Sequence, residues 1–190
     1  GCCRVRPMPN SAATGCTRSL IDRGAAVSRL DSFLRRMCAQ RVLLEEAALL
    51  VRDIDGPIVD LGIGNGRTLD HLSVLFPDRK VFAFDNFLHS AIGVLPPPEQ
   101  IVMGDIRETL PFALPRLGER AALVHNDLGS ADEIGNAATA AWLAPAIEAV
   151  ARPDAIIVTS FLIPFRRYVA LPLPASVKPG RYHIIKLAGV

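Results

Sequence analysis

Residues 57–67 read PIVDLGIGNGR, a short apolar run followed by three glycines at alternate positions. The run Pro57–Leu61 has the length and composition of a buried β-strand, and a helical pattern follows the glycines. Gly62, Gly64 and Gly66 are therefore predicted to lie in a turn between a strand and a helix. Glycine adopts backbone angles that other residues avoid, and it lets a ligand approach the main chain closely. The stretch predicts a ligand-binding loop at a helix N-terminus.

The spacing of these glycines distinguishes the loop from two common nucleotide-binding motifs. A dinucleotide loop has the pattern G-x-G-x-x-G, and Arg67 stands where its third glycine would be. This disfavours a nucleotide-dependent oxidoreductase. No G-K-[ST] follows, which excludes a Walker A loop. The pattern is instead G-x-G-x-G, preceded on the strand by the acid Asp60.

The rest of the chain alternates predicted helices with predicted strands. A helix is expected from Ser28 to about residues 53–55, and further helices at 67–75, 109–118 and 138–151. Strands are expected at 81–85, 100–105, 121–127 and 154–161. Two last strand-like stretches, Tyr168–Leu171 and Arg181–Leu187, lie too close in sequence for a helical crossover, so they predict an antiparallel hairpin. The fold class is thus α/β, a doubly wound, mostly parallel sheet with a C-terminal antiparallel hairpin at one edge.

Composition and charge narrow the function classes. Half of the 190 residues are hydrophobic, and the formal net charge of +2 with scattered arginines predicts no nucleic-acid partner. No apolar run reaches the length of a membrane helix. Three of the four cysteines lie in the first sixteen residues, and none has metal-like spacing, so we predict a cytoplasmic protein without a metal site.

Residues 1–27 lack any helical or alternating period, and they are predicted to be a flexible leader before a single domain of residues 28–190. Val27 is a candidate natural start, because the helical pattern begins just after it. Intact-mass measurement of the native protein tests this prediction.

Polar residues follow each predicted parallel strand. Asp85 ends the second strand, Asp105 follows the third, and the sequence HND (125–127) ends the fourth. The carboxyl ends of parallel strands meet at one edge of a sheet, where ligands bind. With VDLGIGNG, these positions resemble the motifs of class I S-adenosylmethionine-dependent methyltransferases. The stretches RLDSFLRRMCAQR, GNGRTLDHL and GDIRETLP also resemble a small bacterial family of single-domain methyltransferases whose substrate is unassigned.

The resemblance implies that S-adenosyl-L-methionine is the cofactor. It implies that Asp85 accepts hydrogen bonds from the ribose hydroxyls, for which a carboxylate is well suited. Asp105 would lie beside the adenine amino group with Ile106 on the ring, and Asp60 would reach the methionine amino group. The other predicted cofactor contacts are Gly62, Gly64, Asn65, Gly66, Arg67, Asn86 and Asn126.

The first helix adds two candidates. Its apolar stripe continues through Met37 to Leu44 and includes Gln40 or Arg41. A polar residue on a buried stripe requires a partner. We therefore predict that Gln40 or Arg41, together with Arg36, points at the cofactor or the substrate. The alternative is that Arg41 extends along its aliphatic stem to water.

His125 and Asp127 are the candidate catalytic residues. A histidine titrates near neutral pH, which suits removal of a proton from a nucleophile; the alternative for His125 is a buried histidine with a structural role. The expected reaction is direct displacement onto a small-molecule acceptor through O, N or S. Two alternatives remain open: a non-catalytic S-adenosylmethionine-binding module, and an aminopropyltransferase-like enzyme. Few residues follow the fifth strand, so the first helix or a neighbouring subunit of a homo-oligomer is expected to complete the pocket.

Overall fold

The computed structural model describes residues 27–88 and 95–189; residues 1–26 of the predicted leader lie outside the described residues. Seven strands and five α-helices form the described part of the chain. The strands are β1 (Ile58–Leu61), β2 (Val81–Asp85), β3 (Ile101–Met103), β4 (Ala121–Asn126), β5 (Ala151–Thr159), β6 (Tyr168–Leu171) and β7 (His183–Leu187). The helices are α1 (Arg29–Leu50), α2 (Arg67–Leu75), α3 (Ile106–Thr109), α4 (Leu114–Leu117) and α5 (Glu133–Val150).

All seven strands form one sheet in the order β3-β2-β1-β4-β5-β7-β6. Strands β1 to β5 pair in parallel, and β7 is antiparallel to both of its neighbours, β5 and β6. The predicted doubly wound sheet with a C-terminal antiparallel hairpin is confirmed. The strand order reverses between β1 and β4, and this switch point is where open α/β sheets form their ligand crevice.

Helices cover both faces of the sheet, and alternate residues of each strand supply the two cores. On β1, Ile58 packs with Leu43, Leu44 and Leu72 of α1 and α2, whereas Val59 packs on the opposite face with the core around α5. Asp60 lies between Val59 and Leu61 on β1 and is fully buried. The burial of a carboxylate here requires a partner, because an isolated charge in the core is costly.

Helix α1 differs from the predicted apolar stripe. Its buried residues are Gln40, Leu43, Leu44 and Ala47, all in the second half of the helix. The apolar residues of the first half, Leu30, Phe33 and Leu34, are exposed. The second half of α1 packs in the core on one face of the sheet, while these apolar side chains of the first half are exposed to solvent. The spacing of apolar residues alone did not distinguish these two halves.

Helix α5 begins at Glu133, five residues before the predicted start at 138. The Asp132 side chain accepts a hydrogen bond from the Ile134 N–H and so caps the first turn. Pro145 lies inside the helix. None of the helices in the described ranges has the length and apolarity needed to span a bilayer.

Candidate functional site

The glycine loop connects β1 to α2, as predicted. Gly62, Gly64 and Gly66 have φ values of +90°, +50° and +74°, a region that residues with side chains rarely adopt. Gly66 is the N-cap of α2 in the left-handed conformation. A Cβ at Gly62 would meet Leu128 Cδ2 at 3.0 Å, whereas one at Gly64 would meet no described atom within 4 Å. The loop therefore needs its glycines for conformation, and it leaves open space beside Gly64.

The Asp85 side chain at the end of β2 is hydrogen-bonded to the glycine loop. Its Oδ2 accepts a hydrogen bond from the Gly64 N–H at 3.1 Å, and its Oδ1 accepts one from the Phe87 N–H at 3.1 Å. A carboxylate has about four lone-pair positions. Since the protein uses two of them, the carboxylate keeps capacity to accept hydrogen bonds from a ligand.

The loop and Asp85 border a cavity of about 340 Å³, the loop cavity. Helix α1 contributes part of its wall. Its lining residues are Arg36, Met37, Gln40, Gly62, Ile63, Gly64, Asn65, Arg67, Thr68, Asp85, Asp127 and Leu128. Eight of the predicted residues thus come together around one cavity: Arg36, Gln40, Gly62, Gly64, Asn65, Arg67, Asp85 and Asp127.

Gln40 is the most informative of these residues. Its side chain is 3% exposed, and neither its amide nitrogen nor its amide oxygen has a hydrogen-bond partner among the described residues. Leaving both ends of a buried amide unpaired is costly. Because Gln40 lines the loop cavity, a ligand there could satisfy both groups.

Two arginines, Arg36 and Arg67, lie at the loop cavity, whereas Arg41 does not. The guanidinium groups of Arg36 and Arg67 lie 6.0 Å and 5.4 Å from the centre of the Phe33 ring, so both stack on one aromatic side chain. Arg41, which was a predicted cofactor contact, does not line the loop cavity. Its side chain is 65% exposed and pairs with Glu45 at 3.5 Å on the outer face of α1.

His125 and Asp60 form a buried pair beneath the site. Their Nδ1 and Oδ1 atoms are 2.7 Å apart on the neighbouring strands β4 and β1. Burial lowers the pKa of His125, but the hydrogen bond and charge of Asp60, with the charge of Asp127, leave that pKa raised above 6.5. His125 is 1% exposed and lines neither the loop cavity nor the cavity described below.

Five other predicted cofactor contacts lie outside the loop cavity. Asn126 is buried, donates to Thr159 Oγ1 at 2.9 Å and accepts from the Leu128 N–H at 3.2 Å, which ties β4 to β5. Asp105 caps α3 through the Arg107 N–H at 2.8 Å, and Ile106 is buried in the core. Asn86 is exposed just beyond β2. Gly66, also off the cavity, shapes the start of α2.

A second cavity of about 710 Å³ lies next to the first, at the ends of β4 and β5 and before β7; we call it the strand-end cavity. It contains Arg36 and Asp127, which also line the loop cavity. The Asp127 N–H donates to the Leu61 carbonyl at 3.1 Å, so this residue is fixed where β4 leaves the sheet beside β1. Asp127 therefore stands at the boundary of the two cavities.

The far wall of the strand-end cavity was not predicted. It includes Ser160 and Phe161 after β5, and Arg181, Tyr182 and His183 at the start of β7. Burial raises the pKa of Tyr182 to about 12; Asp127 adds to this increase, and Arg181 and Arg36 oppose it. Burial lowers the pKa of His183. Both side chains are therefore neutral near pH 7. Nowhere in the described ranges do three His, Cys, Asp or Glu side chains come together as a metal site requires.

Most of the chain matches the model of a known protein family. Residues 27–187 match the family model described as S-adenosyl-L-methionine methyltransferase. The chain resembles the crystal structure of an S-adenosyl-L-methionine methyl transferase from Silicibacter pomeroyi, with 39% identity and a TM-score of 0.77. That match covers 84% of this chain and 98% of the other.

A more distant structure has the same fold. The apo structure of CalS11, a TDP-rhamnose 3'-O-methyltransferase of calicheamicin biosynthesis, has 17% identity and a TM-score of 0.56, and the match covers 84% of this chain and 81% of that one. No curated protein matches the chain.

Proposed function

Because the chain belongs to the S-adenosyl-L-methionine methyltransferase family, we propose that it transfers the donor's methyl group to a small molecule held in the strand-end cavity. One observation carries this proposal: the loop cavity and the strand-end cavity share Arg36 and Asp127. A donor in one cavity and an acceptor in the other would therefore meet at Asp127. Membership of this family favours methyl transfer over the three alternatives, which are aminopropyl transfer, hydride transfer and cofactor binding without catalysis.

The residues around the loop cavity fit S-adenosyl-L-methionine. Asp85 has free acceptor capacity for vicinal hydroxyls, and the backbone beside Gly64 is open to close approach. The unpaired amide of Gln40 can donate to a carboxylate and accept from an ammonium group, the two polar ends of an amino acid. We assign these contacts to Asp85, the glycine loop and Gln40, with Asn65 and Arg67 at the cavity rim.

When bound, S-adenosyl-L-methionine supplies a methyl carbon that its sulfonium already activates. The protein has to align the acceptor atom with that carbon and exclude water. In the displacement, the acceptor's lone pair forms the new bond to the methyl carbon, and the electrons of the carbon–sulfur bond pass to sulfur. A proton leaves the acceptor when the acceptor is an O–H, N–H or S–H group.

We assign receipt of that proton to an Asp127 carboxylate oxygen, because Asp127 lines both cavities. His125, the other candidate base, is buried and bonded to Asp60. Its role in this proposal is structural, as the partner that keeps the Asp60 carboxylate in the core. The reaction is assigned to the cytoplasm, since residues 28–190 contain a single cysteine, Cys38.

Two measurements test the proposal. Calorimetry with S-adenosylmethionine, S-adenosylhomocysteine and NAD should give binding of the first two only; binding of NAD alone would contradict it. The donor with a tritiated methyl group is then incubated with the protein and a cell extract, which is separated into small-molecule, protein and nucleic-acid fractions. We expect label in the small-molecule fraction, and it should fall sharply with Asp127→Asn. Label confined to protein or nucleic acid would refute the acceptor class.

A further inference from the structure

Resting on the proposed function, we propose that the methyl acceptor is a small carboxylic acid, and that Arg181, assisted by Arg36, binds its carboxylate in the strand-end cavity. The group to be methylated would then lie at the Asp127 end of the same cavity.

Two guanidinium groups enter the strand-end cavity from different elements. Arg36 projects from α1, and Arg181 precedes β7, directly after Gly180 with φ of +95°. Both lower the pKa of Tyr182 by their charge, while Asp127 raises it. These three charged side chains and Tyr182 all line the strand-end cavity, so two cations and one anion border the same space.

Neither arginine has an anionic partner in the described part of the chain. Arg41, Arg152 and Arg166 pair with carboxylates. A second group of arginines, by contrast, donates to main-chain carbonyls: Arg79, Arg116 and Arg120. Arg36 stacks on Phe33 instead, and for Arg181 the described residues provide neither an ion pair nor a side-chain hydrogen bond. An arginine facing a cavity with its planar set of donors unused is suited to bind a carboxylate through two parallel hydrogen bonds.

The other groups around the cavity favour a monoanion. Tyr182 and His183 are neutral near pH 7, because burial raises the pKa of the first and lowers that of the second. Asp127 and the exposed Glu133 are the remaining acids of the lining. The negative charges of these two acids repel a phosphate dianion more strongly than they repel a singly charged carboxylate. The acid and the arginine also differ in position: Asp127 lines the loop cavity as well, whereas Arg181 lines only the strand-end cavity.

The test compares each of several acids with its uncharged primary amide, and the acids with a phosphate. Protein saturated with S-adenosylhomocysteine is titrated by calorimetry with 3- and 4-hydroxybenzoate, 4-aminobenzoate and 3-hydroxybutyrate, with the primary amide of each, and with 4-hydroxyphenyl phosphate. We expect at least one acid to bind, and its amide to bind at least about ten-fold more weakly because the charge-assisted pair is lost. In Arg181→Gln this preference should disappear, while affinity for S-adenosylhomocysteine changes less than about two-fold.

Arg166→Gln is the matched control, since Arg166 is exposed and lies outside both cavities; it should preserve the acid preference. Arg181→Lys keeps the charge without the planar fork and should give an intermediate result. The inference is overturned if no acid binds, if amides or the phosphate bind as well as the acids, or if the preference survives Arg181→Gln. Repeating the titrations without S-adenosylhomocysteine separates the two proposals. If the protein bound no methyl donor but still preferred acids to amides through Arg181, the proposed function would be refuted and the carboxylate site would stand.

Discussion

The Asp60 carboxylate and the His125 ring form a buried pair across β1 and β4, with Oδ1 and Nδ1 2.7 Å apart. The two residues are register partners on adjacent parallel strands, at the point where the strand order reverses. The second carboxylate oxygen, Oδ2 of Asp60, is buried without a partner among the described residues. The pair thus fixes an ionisable group directly beneath the glycine loop, and its protonation must affect folding.

The first prediction concerns the pH dependence of stability. The pKa of His125 is raised above 6.5 by Asp60, so the protonated pair stabilises the fold fully below pH 6.5, and this contribution is lost as pH rises through the raised pKa. The free energy of unfolding, measured by urea denaturation, should therefore fall from pH 6.5 upward. In Asp60→Asn this decline should vanish, and stability at pH 6 should be lower by roughly 3 kcal/mol.

Two comparisons isolate that effect. Arg41→Gln breaks the exposed Arg41–Glu45 pair and should change stability by less than about 0.5 kcal/mol. Burial lowers the pKa of His183, so this residue changes the free energy of unfolding only below pH 6.5. It does not contribute to the decline in stability expected above pH 6.5. A pH profile that is the same in wild type and Asp60→Asn would contradict the assignment.

The second prediction concerns Gln40→Met, a change of similar volume that removes the unpaired amide. Without ligand, stability should be unchanged or higher, because the amide has no partner among the described residues. Affinity for S-adenosylhomocysteine should fall about ten-fold, since the ligand loses a buried hydrogen-bonding group. Calorimetry and thermal unfolding of the same samples measure both. A variant that is destabilised with unchanged affinity would show that Gln40 has a structural partner.

The sequence predicted most of the fold because parallel α/β sheets have strong local signals. Helix α2 and strands β2 and β6 have the predicted bounds, and the hairpin direction followed from the short connection. The start of α5 was missed because its cap, Asp132, lies in a polar stretch without apolar periodicity. The exposed first half of α1 was missed because apolar spacing does not show which part of a helix packs on the sheet.

The site was predictable in part. Asp85 and the glycines follow from the rule that ligands bind at the carboxyl ends of parallel strands. The same rule pointed to Asn126, but alternation along β4 turns that side chain toward Thr159 in the core. Arg181 and Tyr182 belong to the antiparallel end of the sheet, to which the rule does not apply, so only the pairing of β7 with β5 brings them to the site.

The third prediction separates capping from cofactor binding at Asp105. Asparagine is as good an N-cap as aspartate, so Asp105→Asn should keep the hydrogen bond from the Arg107 N–H and leave stability unchanged within about 0.5 kcal/mol. Asp105→Ala should cost about 1 kcal/mol. If Asp105 also binds the adenine amino group, both variants should weaken S-adenosylhomocysteine binding, because with its oxygen in the cap asparagine presents only an N–H donor, and alanine presents no polar group. Unchanged affinity in both would leave Asp105 with the cap alone.

The fourth prediction contrasts two glycines of the loop. Gly62→Ala places a methyl group 3.0 Å from Leu128 Cδ2 at a φ of +90°, and it should destabilise the fold by about 2–3 kcal/mol. Gly64→Ala has a φ of +50°, within the left-handed region, and no described atom lies within 4 Å, so it should cost only about 1 kcal/mol.

Gly64→Ala, the less destabilising of the two variants, should have the larger effect on ligand affinity. The open space beside Gly64 belongs to the loop cavity, so a methyl group there competes with the ligand, and affinity for S-adenosylhomocysteine should fall at least about ten-fold. Chemical denaturation and calorimetry on the two variants give both quantities. If Gly64→Ala retained wild-type affinity, the main chain at Gly64 would not be in contact with the cofactor, and the ligand would have to lie farther toward α1.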